Sequence, residues 1–436
     1  MESTPAGHPP LSDPLYIGID VGTSGCRAIA IDTSRQIVAE SAVCMPAPEG
    51  NGVEQQQNPE IWWQALSAAL KQLGESTDLR NSQAIAVDAT SGTLLLCDEI
   101  GQPLTLALIY NDSRSRTEAE QIAAIAPPFS GAHGASSSLA KLLHLLPQAE
   151  ESRYALHQAD WLAGRLSGRF GISDENNALK LGYDPMGRCW PEWMAQLGID
   201  KSLLPEVKRP GEPIDKINKF LADQFGLHPD TLIKAGTTDS IAAFIASGAK
   251  EVGEAVTSLG STLVLKVISD YPIYDPLYGI YSHRLGDLWL TGGASNSGGT
   301  VLRQFFSNEQ MEKLTPQLKP DEHTGLNYYP LPRPGERFPH NDPTLEPRLT
   351  PHPEDETRFF QGVLEGIARI ECDGYTLLAQ SGAPYPSSVR SCGGGARNLV
   401  WRDIRQRQLG VPMLEADHLE AAYGAALLAL DGLPAS

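Results

Sequence analysis

Apolar and polar positions along this chain predict strands and helices in alternation. An apolar run from Tyr16 ends in Asp20, a small turn Gly22-Thr23-Ser24-Gly25 follows, and a second apolar run, Ala28–Ile31, leads away. β-Branched residues on both sides of a glycine turn predict strand, turn, strand. Gln36–Val43 predicts a third strand. Asn58-Pro59 predicts a helix start, with Asn as cap and Pro in the first turn. Ile61, Trp62, Leu66, Leu70 and Leu73 then recur at helical spacing, and Gly74 predicts the helix end. Ala84–Val87 and Thr93–Cys97 predict short buried strands on either side of Thr90-Ser91-Gly92. The mixed pattern indicates an α/β fold with a layered sheet.

A second α/β region begins near Ala235-Gly236. Glu254–Ile268 predicts strand, turn, strand around Gly260, and Gly279–His283 and Leu288–Thr291 predict further strands. The Pro-rich stretch Thr315–Pro353 carries Tyr328, Tyr329 and Phe338, too many aromatics for a linker, and predicts a long ordered loop. Phe359–Leu378 has helical period, with Phe360, Val363, Leu364, Ile367 and Ile370 inward. Ser388–Arg390 predicts a strand, Leu399–Leu409 a helix, and Glu420–Leu430 a closing Ala/Leu-rich helix.

At 436 residues the chain exceeds one ordinary core, so two domains are expected. A formal net charge of −19 argues against nucleic acid and anionic membranes as partners. It leaves a phosphate ligand open, because backbone amides and a cation can supply a local positive field. The cysteines at 26, 44, 97, 189, 372 and 392 form no CxxC pair and read as reduced thiols. No apolar run reaches the ~18 residues of a membrane span. The first fourteen residues have neither a basic start nor an apolar core, which predicts a disordered leader, and the protein is expected in the cytoplasm.

Four segments carry candidate chemistry. The glycines of Gly22–Gly25 let backbone amides approach an oxyanion, and the Thr23 and Ser24 hydroxyls add donors. Asp20 at the lip of that turn makes sense beside polyphosphate only with a cation between, Mg²⁺ with part of its water shell being the usual one. The turn is neither GxxxxGK[ST] nor GxGxxG, and a plain hairpin with a surface Asp explains it equally well. Ser258-Leu-Gly260-Ser261-Thr262 repeats the device in the second region, and two such turns could hold different phosphates of one nucleotide across a cleft. Asp239, in Gly236-Thr-Thr-Asp-Ser, stands where a strand gives way to a helix. Helix capping accounts for it alone; beside a phosphate site it is a candidate general base. Gly393-Gly394-Gly395 would let a flat ligand lie against bare backbone before Asn398.

Together these segments resemble the FGGY family of carbohydrate kinases, within the actin and hexokinase superfamily, over nearly the whole chain. IGIDVGTSGCRA is similar to the first phosphate loop, AIAVDATSGT to the strand that reaches the sugar, and GTTDSIAAFIASGA to the segment with the catalytic Asp. TSLGST is similar to the second phosphate loop and GGGARN to the adenosine loop. Gly335–Pro343 and the EGIAR helix resemble further landmarks. The resemblance implies two RNase H-like domains, 14–240 and 241–436, that close around a nucleotide and sugar cleft, with the last helix, from about 417, able to pack back on the first.

It further implies ATP and Mg²⁺ as cofactors and a small sugar as substrate, in a monomer or homodimer. Asp20 would bind Mg²⁺ through water, Gly22, Thr23 and Ser24 would cradle phosphates, and Gly260, Ser261 and Thr262 would close from the far side. Gly394, Gly395 and Asn398 would line the adenosine pocket. Ser91 and Gly92 would contact the sugar with Asp20, and Asp239 would be the base. The chain departs from the family pattern at His144, where Trp is usual, and lacks the Met-His-Gly common in xylulose kinases. ATSGTLLLCD looks most like a compact cyanobacterial and plant branch, which points to D-ribulose first and D-xylulose second. A rival reading is a non-catalytic, actin-like nucleotide-binding regulator, against which Asp239 in its motif argues.

Overall fold

The opening run does fold back on itself. In a computed structural model, which describes residues 13–433, β1 (Leu15–Val21) and β2 (Gly25–Ile31) pair antiparallel, and β3 (Ile37–Cys44) continues the meander. β4 (Ser82–Ala89) runs parallel beside β1, and β6 (Leu232–Thr238) runs parallel beside β4, with β5 (Pro213–Lys216) on the outer edge. The resulting six-stranded sheet has the order β5-β6-β4-β1-β2-β3. The expected leader falls almost wholly outside the described residues.

The second sheet repeats the plan. β7 (Glu254–Leu259), β8 (Leu263–Ser269) and β10 (Leu288–Ser295) form the meander, and β9 (Tyr281–Leu285) is added at its edge. β11 (Ser388–Cys392) and β12 (Met413–Leu414) run parallel beyond β7, giving β9-β10-β8-β7-β11-β12. Each half thus places its glycine turn at the tip of a hairpin whose first strand is central in the sheet. A smaller four-stranded sheet takes Leu94–Cys97, so this predicted strand lies apart from the two larger sheets.

Helix α1 (Pro59–Ser76) begins as its sequence indicates, with the Asn58 side chain accepting from the Glu60 amide. It does not end at Gly74. That residue lacks the left-handed backbone of a helix stop, and the chain stays helical to Ser76 while Leu79 packs beside the glycine. α1 and α2 (Gln158–Ser167) cover one face of the first sheet, where Trp62 and Trp161 meet edge to face at 6.2 Å among Ile17, Ile19 and Leu66. In the second half, α4 (Gly299–Phe305) follows β10, and α5 (Glu356–Gln380) and α6 (Leu399–Leu409) bury Phe360, Val363, Ile367 and Trp401 against β7 and β8. Arg405 ties this layer together. It makes two hydrogen bonds of 2.6 Å to buried Glu371, which also accepts from Thr257 of β7. The 315–353 stretch is an ordered loop, pinned where Glu336 accepts from Ser295 Oγ at 2.6 Å and from the Asn296 amide.

The chain then returns. α7 (Ala421–Asp431) lies on the open face of the first sheet, with Ala422 and Ala426 against Ile29 and Ile31, and Leu428 and Ala429 against Ala84 and Ala86. Between α7 and the second sheet lies α3 (Asp239–Ala246), whose Ile241 and Phe244 pack on Val256, Ile268 and Leu290 of that sheet. Only small residues allow the approach. A Cβ on Gly18 would lie 2.0 Å from Ala422 O, and one on Gly424 would lie 1.9 Å from Ala242 O. Arg27–Glu420 and Arg35–Asp431 ion pairs flank the helix at its two ends.

Because the obstacle at Gly18 is backbone on both sides, Gly18→Ala is expected to destabilise the protein by about 3 kcal/mol or more. Urea unfolding with an unchanged midpoint would show that α7 does not need this contact.

Candidate active site

Three strands of the first sheet deliver carboxylates to one end. Asp20 near the end of β1 stands in register with Asp88 of β4, and Asp88 in turn faces Thr237 of β6, two residues before α3 begins at Asp239. Carboxyl ends of parallel strands are where open α/β sheets bind ligands, since loops diverge there and leave a crevice. Asp239 is the first residue of α3, one past the N-cap. Its Oδ1 accepts from the following Ser240 amide at 2.6 Å, and the Ser91 amide also donates to the carboxylate. Capping therefore does not use up Asp239, and the sugar turn predicted at Ser91-Gly92 lies against it.

The cluster is electrostatically loaded. Asp88 is wholly buried, and apart from the Asp20 carboxyl beside it neither of its oxygens has a hydrogen-bond partner. Burial, then the charges of Asp20 and Asp239, hold it well above the usual carboxylate range. Asp20 is pushed up to about 6, first by burial, with Asp239 adding repulsion, while hydrogen bonding with the Asp88 carboxyl works the other way. Burial also raises Asp239, opposed by Lys266 and Lys180. Lys180 closes the Ser91-Gly92 turn from outside: a Cβ on Gly92 would lie 3.2 Å from its Cδ. Behind the turn, buried Lys141 donates to Gly92 O at 2.6 Å and Ile109 O at 2.7 Å.

A second site lies in the other half. A cavity of about 680 Å³ is lined by Gly260, Ser261, Arg303, Gly394, Gly395 and Asn398, among others. Asn398 caps α6 through the Trp401 amide and donates to Thr315 Oγ1 at 3.2 Å. The two glycines differ in purpose. A Cβ on Gly395 would strike Trp401 and Leu259, whereas one on Gly394 would meet nothing within 4 Å. Gly394 is thus the position whose bare backbone faces space. Arg303 of α4 donates to Ser261 Oγ at 3.0 Å and brings a cation to the turn. Thr262 is not among the cavity-lining residues, and Gly22, Thr23 and Ser24 stand apart from it at the tip of the first hairpin.

Family models match both halves: the FGGY family of carbohydrate kinases, N-terminal domain, over residues 15–246, and its C-terminal domain over residues 255–431. The chain belongs to the FGGY family of carbohydrate kinases. A xylulose kinase from Escherichia coli (strain K12) is 26% identical over 417 residues, covering 91% of this chain and 86% of the relative. One from Streptomyces coelicolor is 27% identical over 434 residues, 95% and 87%. Among solved structures, a "xyloylose kinase" from Brucella ovis superposes with a TM-score of 0.88 at 23% identity, covering 96% of this chain and 90% of that one. A gluconate kinase from Lactobacillus acidophilus gives 0.85 at 19%, covering 96% and 89%. The fold is that of the actin- and hexokinase-like ATPases, and the chain is a carbohydrate kinase.

Within the FGGY chain, sequence reasoning missed Asp88, Lys180, Lys266 and Arg303. Asp88 had a readable signal, since AIAVD ends an apolar strand in Asp just as YIGID does. Lys266 had one too, a lone lysine inside the apolar strand LVLKVIS. His144 pairs with Glu118 at 3.1 Å, on a helix of the first half. No helix of the described residues is long and apolar enough to cross a membrane.

An aspartate that holds its proton only when folded costs stability as pH rises above its unfolded pKa, ~3.9, and the cost is complete once pH passes the folded value. Asp88→Asn is therefore expected to raise the unfolding midpoint of the ligand-free protein at pH 8, with the gain shrinking toward pH 4. A gain equal at both pH values would show that buried charge at Asp88 is not its source.

Proposed function

We propose that this chain transfers the γ-phosphoryl group of ATP to the terminal primary hydroxyl of a small ketose. The observation that carries the reading is Asp239, held by the Ser91 amide at the sugar turn and not consumed as a helix cap. Asp239 takes the hydroxyl proton as the oxygen attacks phosphorus in line, and ADP leaves toward the Gly394 cavity. The amides and hydroxyls of Gly22, Thr23 and Ser24 receive phosphate oxygens from the first half; those of Gly260, Ser261 and Thr262 receive them from the second. Asp20, Ser91 and Gly92 hold the sugar.

The residues present fit Mg²⁺. Asp88 has buried oxygens with no partner but the Asp20 carboxyl, and burial and repulsion raise both groups, a penalty that a divalent cation would relieve. Among the described residues, no three His, Cys, Asp or Glu side chains converge into a protein-only metal cage. That suits an ion held by a carboxylate such as Asp20 through water and by nucleotide phosphates. When bound, it would neutralise phosphate charge. With the cation beside it Asp20 stays ionised, and Asp239 keeps its hydrogen bonds to the Ser91 and Ser240 amides.

D-Xylulose is the favoured substrate, supported by the names of the relatives. D-Ribulose is the second reading, favoured by Thr90-Ser91-Gly92 standing where xylulose kinases commonly carry Met-His-Gly.

Asp239→Asn is expected to lower turnover by about 10²–10⁴ with ATP binding retained. Assay of wild type and variant on D-xylulose, D-ribulose and polyols, with nucleotide binding by calorimetry, tests both parts. Wild-type turnover in the variant would remove Asp239 from the mechanism, and ATP binding without turnover on any sugar in the wild type would favour a regulator. Asp20→Ala is expected to raise the Mg²⁺ concentration needed for half-maximal rate; a change confined to sugar KM would take Asp20 out of the phosphate site.

A further inference from the structure

Lys266 belongs to the second half yet reaches the helix that carries the base. It lies on β8, the strand that leaves the Gly260–Thr262 turn. Its Nζ donates to Ser240 O at 3.0 Å and to Ser240 Oγ at 3.1 Å, in the first turn of α3 and next to Asp239. Two rigid elements are thereby joined. β8 fixes where the second phosphate turn stands, and α3 fixes where the Asp239 carboxylate stands.

We infer that Lys266 is a positioning residue for phosphoryl transfer, a tie that sets the base against the second phosphate turn. The relation matters because in-line transfer depends on placing the sugar oxygen and the phosphorus together, and a misplacement of about 1 Å costs on the order of 10²-fold in rate. The contacts elsewhere between α3 and the second sheet are apolar side chains, Ile241 and Phe244 on Val256, Ile268 and Leu290. These hold the helix against the sheet but are not directional. The ammonium supplies the directional bonds at the end of α3 where the base sits.

The charged groups around the tie support a cation there. Asp239 is faced by Asp20 and Asp88 from the first sheet and by Lys180 and Lys266. Lys266 is further faced by Cys392 of β11, and His283 of β9 faces Lys266 and Lys180. Burial pushes the Lys266 ammonium down to about 8, and Asp239 opposes that shift.

The inference rests on Asp239 as the base, and the test separates the two. Lys266→Met, Lys266→Gln and Lys266→Arg are compared with wild type, after thermal unfolding has established which variants fold. Turnover is expected to fall in the order wild type, Arg, Gln, Met, with Met down by about 30–100-fold. KM for ATP should stay within about threefold, because the Gly394 cavity does not include Lys266. If Met does not fold, the Arg-over-Gln difference carries the test. Equal turnover across the folded variants, or a loss seen only as raised KM for ATP, would overturn the tie. Should Asp239→Asn retain wild-type turnover while the Lys266 series still falls, the reading of Asp239 fails, and with it the tie as a positioning of the base.

Discussion

Backbone-to-backbone contact between α7 and the first sheet is the constraint on which the rest depends. Gly18, Gly424 and a run of alanines let the last helix lie so close that no side chain fits between. The gain is dispersion and burial over a contiguous face; the requirement is that every residue at the contact stay small. α3 is caught between α7 and the second sheet, so the orientation of Asp239 is set by elements from both ends of the chain.

On that support the active site can be electrostatically unfavourable. Asp20, Asp88 and Asp239 lie at the ends of neighbouring strands, where burial raises all three carboxyls and repulsion from Asp239 adds to it at Asp20 and Asp88. Such an arrangement destabilises the ligand-free fold and becomes favourable when ligands bring positive charge. Strongly shifted carboxyls outside it are accounted for by structure. Buried Asp174, raised to about 7 by burial, accepts from the Asn176 and Asn177 amides and the Asn177 side chain, and Asn176 in turn donates to Thr237 at the end of β6. That stretch braces the strand that leads into Asp239.

The two halves contribute different things. The first supplies the acidic cluster and the Ser91-Gly92 turn, and the second supplies the Gly394 cavity, with Arg303 and Lys266 as its cations. Ion contacts also bridge them, where Asp287 between β9 and β10 meets Arg188 and Arg209. The halves therefore meet through polar contacts as well as the small apolar seat of α3.

Much of this was legible along the chain because it is local. Strand and turn patterning located both glycine hairpins, Asn58 announced α1, and Asp239 stood out where strand gives way to helix. These features follow from backbone sterics and near neighbours in sequence. Gly74 misled because a glycine stops a helix only when the backbone turns left-handed, and packing beside Leu79 kept it helical. Asp88 passed unseen for another reason: it is ordinary in sequence, and becomes a site residue only when β4 pairs with β1 and sets two carboxyls side by side. Lys266 needed more still, since its partner Ser240 belongs to the other half. The sequence determined which elements form and where the turns fall. Tertiary structure alone decided which charges meet, because burial and Coulomb energy depend on distance in space between residues far apart in the chain.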